Sequence, residues 1–156
     1  DVWPQYREAA ENILDYLDQN LPYERYLRIH GDCHRGNLLH NGKSQLDGRQ
    51  FFFVDFDDFC NGPEVQDFWM LLSGSVNEDL AEDETDLICE GYNEFREIPD
   101  DWHLFEPLRA LRIISYGGWI AQRWEDDFFK KIFPDFESFS YWSEEALILQ
   151  KISYNL

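Results

Sequence analysis

Two short groups of residues carry most of the chemical potential of this chain. The first is His30-Gly31-Asp32-Cys33-His34-Arg35-Gly36-Asn37, polar and holding two glycines. The second is Asp55, Asp57 and Asp58, at the end of the apolar run Phe51-Phe52-Phe53-Val54. Carboxylates gathered in one place repel. At about 4 Å two like unit charges cost about 1 kcal/mol in water and about 4 kcal/mol at an effective dielectric of 20. A site built from several of them therefore wants a cation or a proton. Carboxylate and amide oxygens are on offer and no thiolate cluster is, which favours Mg²⁺ or Mn²⁺ over Zn²⁺. The five-residue step from Asp32 to Asn37 is the spacing of a catalytic loop for phosphoryl transfer. In such a loop the Asp faces the acceptor hydroxyl and the Asn holds the metal.

These residues need elements to position them. Leu38-Leu39-His40 and Phe51 to Asp55 read as two strands of a hairpin. The turn signals Asn41-Gly42 and Asp47-Gly48 between them predict a long, exposed connection. Such a hairpin brings the loop before its first strand near the end of its second. Strand alternation would put Asp55 and Asp57 on one face and Asp58 on the other. Upstream, Trp3, Tyr6, Ala10, Ile13, Leu14, Leu17 and Leu21 recur at helical spacing until Pro22. Tyr26 to Ile29 has β character. Asn61-Gly62-Pro63 opens a helix through Val65, Phe68, Trp69, Leu71 and Leu72 to Gly74. Further helices are predicted over Leu80 to Phe95, Phe105 to Trp124 and Tyr141 to Ile152. Gly117-Gly118 weakens the second of these by about 1 kcal/mol per glycine, and close packing of a neighbour would explain the pair. The expected fold is mainly α with a small β-hairpin, in a single domain.

Composition sets outer limits. The chain has 156 residues, 44% hydrophobic and 17% aromatic, enough for a core and against disorder. Its net charge of −19 excludes a nucleic-acid surface, which needs basic patches, and disfavours anionic membranes. No apolar run is long enough to span a membrane. Cys33, Cys60 and Cys89 show no paired spacing and read as reduced thiols, so a cytoplasmic location is expected.

The loop resembles the H-G-D-x-H-x-x-N motif of the aminoglycoside phosphotransferase and choline kinase superfamily, which has a protein-kinase-like fold. Val54 to Asp58, Asn61-Gly62-Pro63, Val65 to Leu72 and Glu106 to Arg112 are similar to a bacterial branch of stress-response Ser/Thr protein kinases. The similarity runs from about Arg28 to about Pro134. It implies that Asp32 orients the attacking hydroxyl and accepts its proton. It implies that Asn37 and Asp55 hold Mg²⁺ between the phosphates of ATP. Asp57 is weighed equally as a further metal or water contact and as a solvated carboxylate near the next helix. His34 is weighed equally as an aid at the transferring phosphate and as a hydrogen-bonding member of the loop. His30 and Asp67 read first as braces of the loop, and Arg35 as an exposed residue with a phosphate contact as the lesser reading. Arg109 and Arg112 are read as partners for buried carboxylates. Trp69, Trp119 and Trp124 read as core, and Glu125-Asp126-Asp127 as a solvated helix end.

A kinase of this kind also needs a β-rich nucleotide-binding lobe with a strand lysine. The four lysines here are Lys43, Lys130, Lys131 and Lys151, and none lies in an apolar strand before the loop. The expectation is that residues 1–156 form the C-terminal catalytic lobe of a two-lobe α+β protein. Its nucleotide contacts and its N-terminal lobe would lie elsewhere, and the piece would be inactive alone. Two alternatives stay open: a kinase for a small hydroxylated metabolite such as choline, homoserine or an aminoglycoside, and a non-catalytic pseudokinase-like interaction module. A metallophosphoesterase fits poorly, because His103 is the only histidine after Asn37 besides His40 in the predicted strand.

Overall fold

A computed structural model describes residues 1–42, 50–72, 78–98 and 100–156, with side chains described throughout these except at 78–83. Among the described residues the chain is mainly helical, with two small antiparallel sheets. It divides into two compact units: residues 1–21 with 103–156, and residues 22–102.

The first unit is all helix. Helix α1 spans Trp3–Asn20 and buries Tyr6, Ala9, Ala10, Ile13 and Leu17 along one face. Pro4 sits in its first turn, where a missing N–H removes no helix bond. Leu21 is extended, as a residue preceding Pro22 must be, and the helix stops there. The buried face is narrower than the spacing predicts, since Trp3 and Leu14 stay exposed. Helix α4, Phe105–Gln122, accepts Pro107 because its first-turn N–H groups have no helical partner. Helix α5 covers Asp127–Ile132, and α6 covers Phe139–Tyr154 with Ser138 capping the Tyr141 N–H at 3.1 Å. Helices α1, α4 and α6 pack on one another. Ile13, Leu104, Ile120 and Leu149 are fully buried there. Truncating one of them to Ala would cost about 2–5 kcal/mol.

Glu125-Asp126-Asp127 is a solvated helix end, at the start of α5, where Asp126 accepts the Phe128 N–H at 2.8 Å. Three other expectations for this unit need correction. Arg109 pairs with Glu106 one turn away at 2.6 Å, an exposed pair and not a buried carboxylate. The glycine pair is not forced by close packing. A Cβ on Gly117 would meet Trp142 at an ordinary 3.6 Å, and one on Gly118 would meet nothing within 4 Å. Trp119 is also less buried than a core residue, stacking on Tyr116 with the Arg123 guanidinium 4.7 Å from its ring centre.

The second unit holds the loop. Strand β1 (Leu27–Ile29) pairs with β4 (Cys60–Gly62), and β2 (Leu38–His40) pairs with β3 (Phe51–Phe53). The hairpin register sets Leu38 opposite Phe53 and His40 opposite Phe51. Most of its predicted connection, Asp47-Gly48 included, lies outside the described residues. Strand β4 is too short and too polar to be visible as a period-two pattern. Helix α2 (Val65–Leu71) follows Pro63, and α3 spans Glu78–Asn93. The predicted end of α2 at Gly74 lies outside the described residues. Phe68 of α2 packs edge-on against Tyr92 of α3 and against Trp102. Two carboxylates buried in this unit have arginine partners: Asp101 with Arg25 and Glu64 with Arg96, each at 2.8 Å.

Candidate active site

The loop from His30 to Asn37 leaves β1 and enters β2, and its shape is set by main-chain bonds to neighbouring elements. Asp67, in the first turn of α2, accepts the His30 N–H at 2.7 Å and the Gly31 N–H at 3.0 Å. One carboxylate thus holds two successive amides, and charge-assisted bonds of this kind are about twice as strong as neutral ones. The brace expected of Asp67 is therefore present. Gly31 has φ of 83°, and a Cβ there would collide with the Asp58 carbonyl oxygen. Only glycine fits both conditions.

His30 is buried. Its Nε2 lies 2.9 Å from the Val54 carbonyl and its Nδ1 accepts the Asp32 N–H at 3.3 Å. That pattern assigns the proton to Nε2. Phe56 covers the ring at 4.6 Å. His30 is thus a structural brace. His34 accepts the Gly36 N–H on Nδ1 at 2.9 Å, which leaves Nε2 as the donor side. That atom faces Asp32 Oδ2 at 3.6 Å. The Asp32 side chain is 16% exposed and that of His34 is 47% exposed.

Asn37 closes the loop. Its Nδ2 donates to the Asp32 carbonyl at 2.9 Å, and its N–H to the His34 carbonyl at 2.9 Å. The Val54 N–H donates to the Asn37 carbonyl at 3.0 Å. Val54 is therefore stitched to the loop twice, through the His30 ring and the Asn37 carbonyl. Asp55 follows it directly, so the hairpin does return the second acidic group to the first.

The local geometry of that second group differs from the expectation. The strand ends at Phe53, and Asp55 has φ of 63°. A turn follows, closed by the Phe59 N–H on the Phe56 carbonyl at 3.2 Å. Strand alternation does not apply to Asp55, Asp57 and Asp58, so the shared face read for Asp55 and Asp57 falls. The left-handed region disfavours most L residues, and Asp and Asn enter it more readily than others. Among the described residues no group of three or more His, Cys, Asp or Glu side chains is placed to hold a metal.

Two further residues of the loop have well-defined surroundings. Cys33, beside Asp32, is 4% exposed. Burial, with the charges of Asp67 and Asp32, pushes its thiol up to about 12. It is a packed, unreactive thiol at neutral pH. Arg35 is exposed and bonded to two helices of this unit. Its Nε donates to the Leu71 carbonyl at 2.8 Å and its guanidinium pairs with Glu84 at 2.8 Å. The main-chain roles of Val54 and Leu71 carry no side-chain signal and are invisible in sequence.

Residues 1–108 match the model of the phosphotransferase enzyme family. The chain belongs to that family. It is 44% identical over 133 residues to stress response kinase A of Escherichia coli K12, covering 80% of this chain and 38% of that protein. It is 44% identical over 121 residues to the serine/threonine protein kinase RdoA of Salmonella typhimurium, covering 77% of this chain and 34% of that protein. The stress response kinase A of Shigella flexneri is 42% identical over 133 residues. The chain thus spans a little over a third of the length of these relatives. Its mainly helical architecture is a fragment of the protein-kinase-like fold of the phosphotransferase family. Among the described residues no helix is long and apolar enough to cross a membrane.

Phosphotransferases of this fold use a nucleoside triphosphate and a divalent cation, and the donor set here suits a hard cation. The Asn37 amide nitrogen is spent on the Asp32 carbonyl, which leaves its amide oxygen as the available ligand. Asp55 is an exposed carboxylate. One carboxylate and one amide oxygen suit Mg²⁺, which keeps several waters and binds mainly through one or two protein oxygens and substrate phosphates.

Proposed function

We propose that this chain supplies the catalytic loop and metal ligands for ATP- and Mg²⁺-dependent phosphoryl transfer to Ser or Thr hydroxyls of proteins. The observation that carries the reading is the stitching of Val54 to His30 and Asn37, which puts Asp55 beside the Asp32–Asn37 loop. Asp32 orients the acceptor hydroxyl and takes its proton as the new O–P bond forms and the bond to the departing ADP breaks. Asn37 and Asp55 would hold Mg²⁺, which neutralises phosphate charge when bound. His34 steadies the Asp32 carboxylate from its Nε2 side, and His30 keeps the loop's backbone in place. Asp57 is left as a solvated carboxylate in the turn. Because the groups act by position and charge, a rigid loop suffices for this half of the chemistry.

The protein-substrate part of the reading is supported by the Salmonella typhimurium relative, which is named a serine/threonine protein kinase. On this reading residues 1–156 are the catalytic lobe, and a separate N-terminal lobe supplies most nucleotide contacts. Leu39, Phe51, Phe52, Phe53, Phe56 and Phe59 are all exposed around the loop. Apolar surface of this extent marks an interaction face, and a covering lobe would use it. Stress signalling in the cytoplasm completes the proposal. The test is transfer of labelled γ-phosphate from ATP by the full-length protein to a Ser/Thr peptide library. Transfer should vanish in Asp32→Ala and with Mg²⁺ removed. Undiminished transfer by Asp32→Ala would overturn the assignment.

A further inference from the structure

The catalytic loop is held at two places on a single helix. Asp67 grips its first residues, His30 and Gly31. Four residues further along α2, the Leu71 carbonyl accepts Arg35 Nε from the loop's far end. Positions four apart share a helix face and are about 6 Å apart along the axis. Helix α2 therefore acts as a splint with Asp32 between its two attachment points. Leu71 is the last residue of α2, and its carbonyl has no helical partner of its own. A guanidinium there satisfies the carbonyl and complements the negative end of the helix. The same guanidinium pairs with Glu84 on α3 at 2.8 Å. The residue after Arg35 is locked as well, by the Gly36 N–H on His34, and Asn37 is reached one residue later.

We infer that Arg35 is a positioning residue, fixing Asp32 and Asn37 by tying the end of the loop to Leu71 on α2 and to Glu84 on α3. It does this instead of contacting phosphate or substrate. The inference rests on the proposed roles of Asp32 and Asn37. Lysine is no equivalent, because a single ammonium lacks the fork that serves a carbonyl and a carboxylate together.

The experiment uses the full-length protein, γ-labelled ATP and a Ser/Thr peptide library, with amide exchange of the peptide covering residues 30–37 read on the same samples. Arg35→Ala should lower kcat about ten- to a hundred-fold while KM for ATP stays within about twofold. Exchange in residues 30–37 should rise without a matching rise elsewhere. Arg35→Lys should be intermediate in both, and it keeps the inference testable if the alanine variant does not fold. A wild-type kcat in both variants would overturn the inference. So would a loss confined to KM with exchange unchanged, which marks a ligand contact. Asp32→Ala separates the two levels. If it keeps turnover, the reading of the loop itself fails; if it is inactive while Arg35→Ala turns over normally, only the role of Arg35 falls.

Discussion

Replacing Asp67 with Asn is the sharpest test of how the loop is held. The carboxylate accepts two backbone N–H groups, at 2.7 and 3.0 Å. An amide offers one oxygen and one NH₂ group, so one of the two N–H donors must face another donor. An unsatisfied N–H in that setting costs about 1–3 kcal/mol, and changing the other bond from charge-assisted to neutral costs about 1 kcal/mol more, roughly 2–4 kcal/mol together. The penalty falls locally, on the opening of the loop. At about 1.36 kcal/mol per tenfold, amide exchange at His30 and Gly31 should accelerate about thirty- to a thousand-fold. The assay is hydrogen exchange by mass spectrometry on the full-length protein. A peptide around Leu149, buried in α6, serves as internal reference. Phosphoryl transfer should fall in parallel. Unchanged exchange at residues 30–31, or an equal rise around Leu149, would refute the reasoning. The first would mean that the carboxylate is not what holds the amides, and the second that the effect is global.

Other expectations follow from individual sites. Asp55→Asn and Asp55→Ala should both lose phosphoryl transfer, but only the alanine should add about 1–2 kcal/mol of backbone strain, because Asn tolerates the left-handed φ of 63°. Equal denaturation midpoints for the two variants would contradict this. Gly118→Ala, exposed in α4 with open space around its Cβ, should stabilise the protein by about 1 kcal/mol, and a lowered Tm would show that reading to be wrong. The Cys33 thiol, pushed up to about 12 by burial, gives a pH dependence of definite sign. A free cysteine titrates near about 8.5, so above that value the unfolded chain releases a proton that the folded chain keeps, and stability falls as pH rises. Urea midpoints at about pH 7.5 and about pH 9.5 should separate further for the wild type than for Cys33→Ala.

The loop was legible because its chemistry is in side chains at fixed spacing: Asp32, Asn37 and the acidic group after an apolar strand. The helices were legible through periodicity, and Pro22 and Pro63 marked two boundaries. What escaped was set by main-chain partners. Nothing in the letters shows that Val54 offers both its N–H and its carbonyl to the loop, or that Leu71 ends a helix with a carbonyl for Arg35. Asp55 and Asp57 were misplaced for a related reason. Strand alternation assumes that the strand continues, and a left-handed residue ended it. Strand β4 was missed because three residues, Cys60-Asn61-Gly62, are too few to show a period.

The Asp67 clamp also bears on the order in which the protein takes shape. Four outside groups that hold the loop come later in the chain: Val54, Asp67, Leu71 and Glu84. Asp67 lies 37 residues beyond the first amide it holds. A growing chain leaves the ribosome N-terminus first, so the loop emerges well before its splint. A nascent chain halted short of Asp67 therefore carries Asp32 and Asn37, the residues of the proposed site, without the α2 contacts that hold their loop.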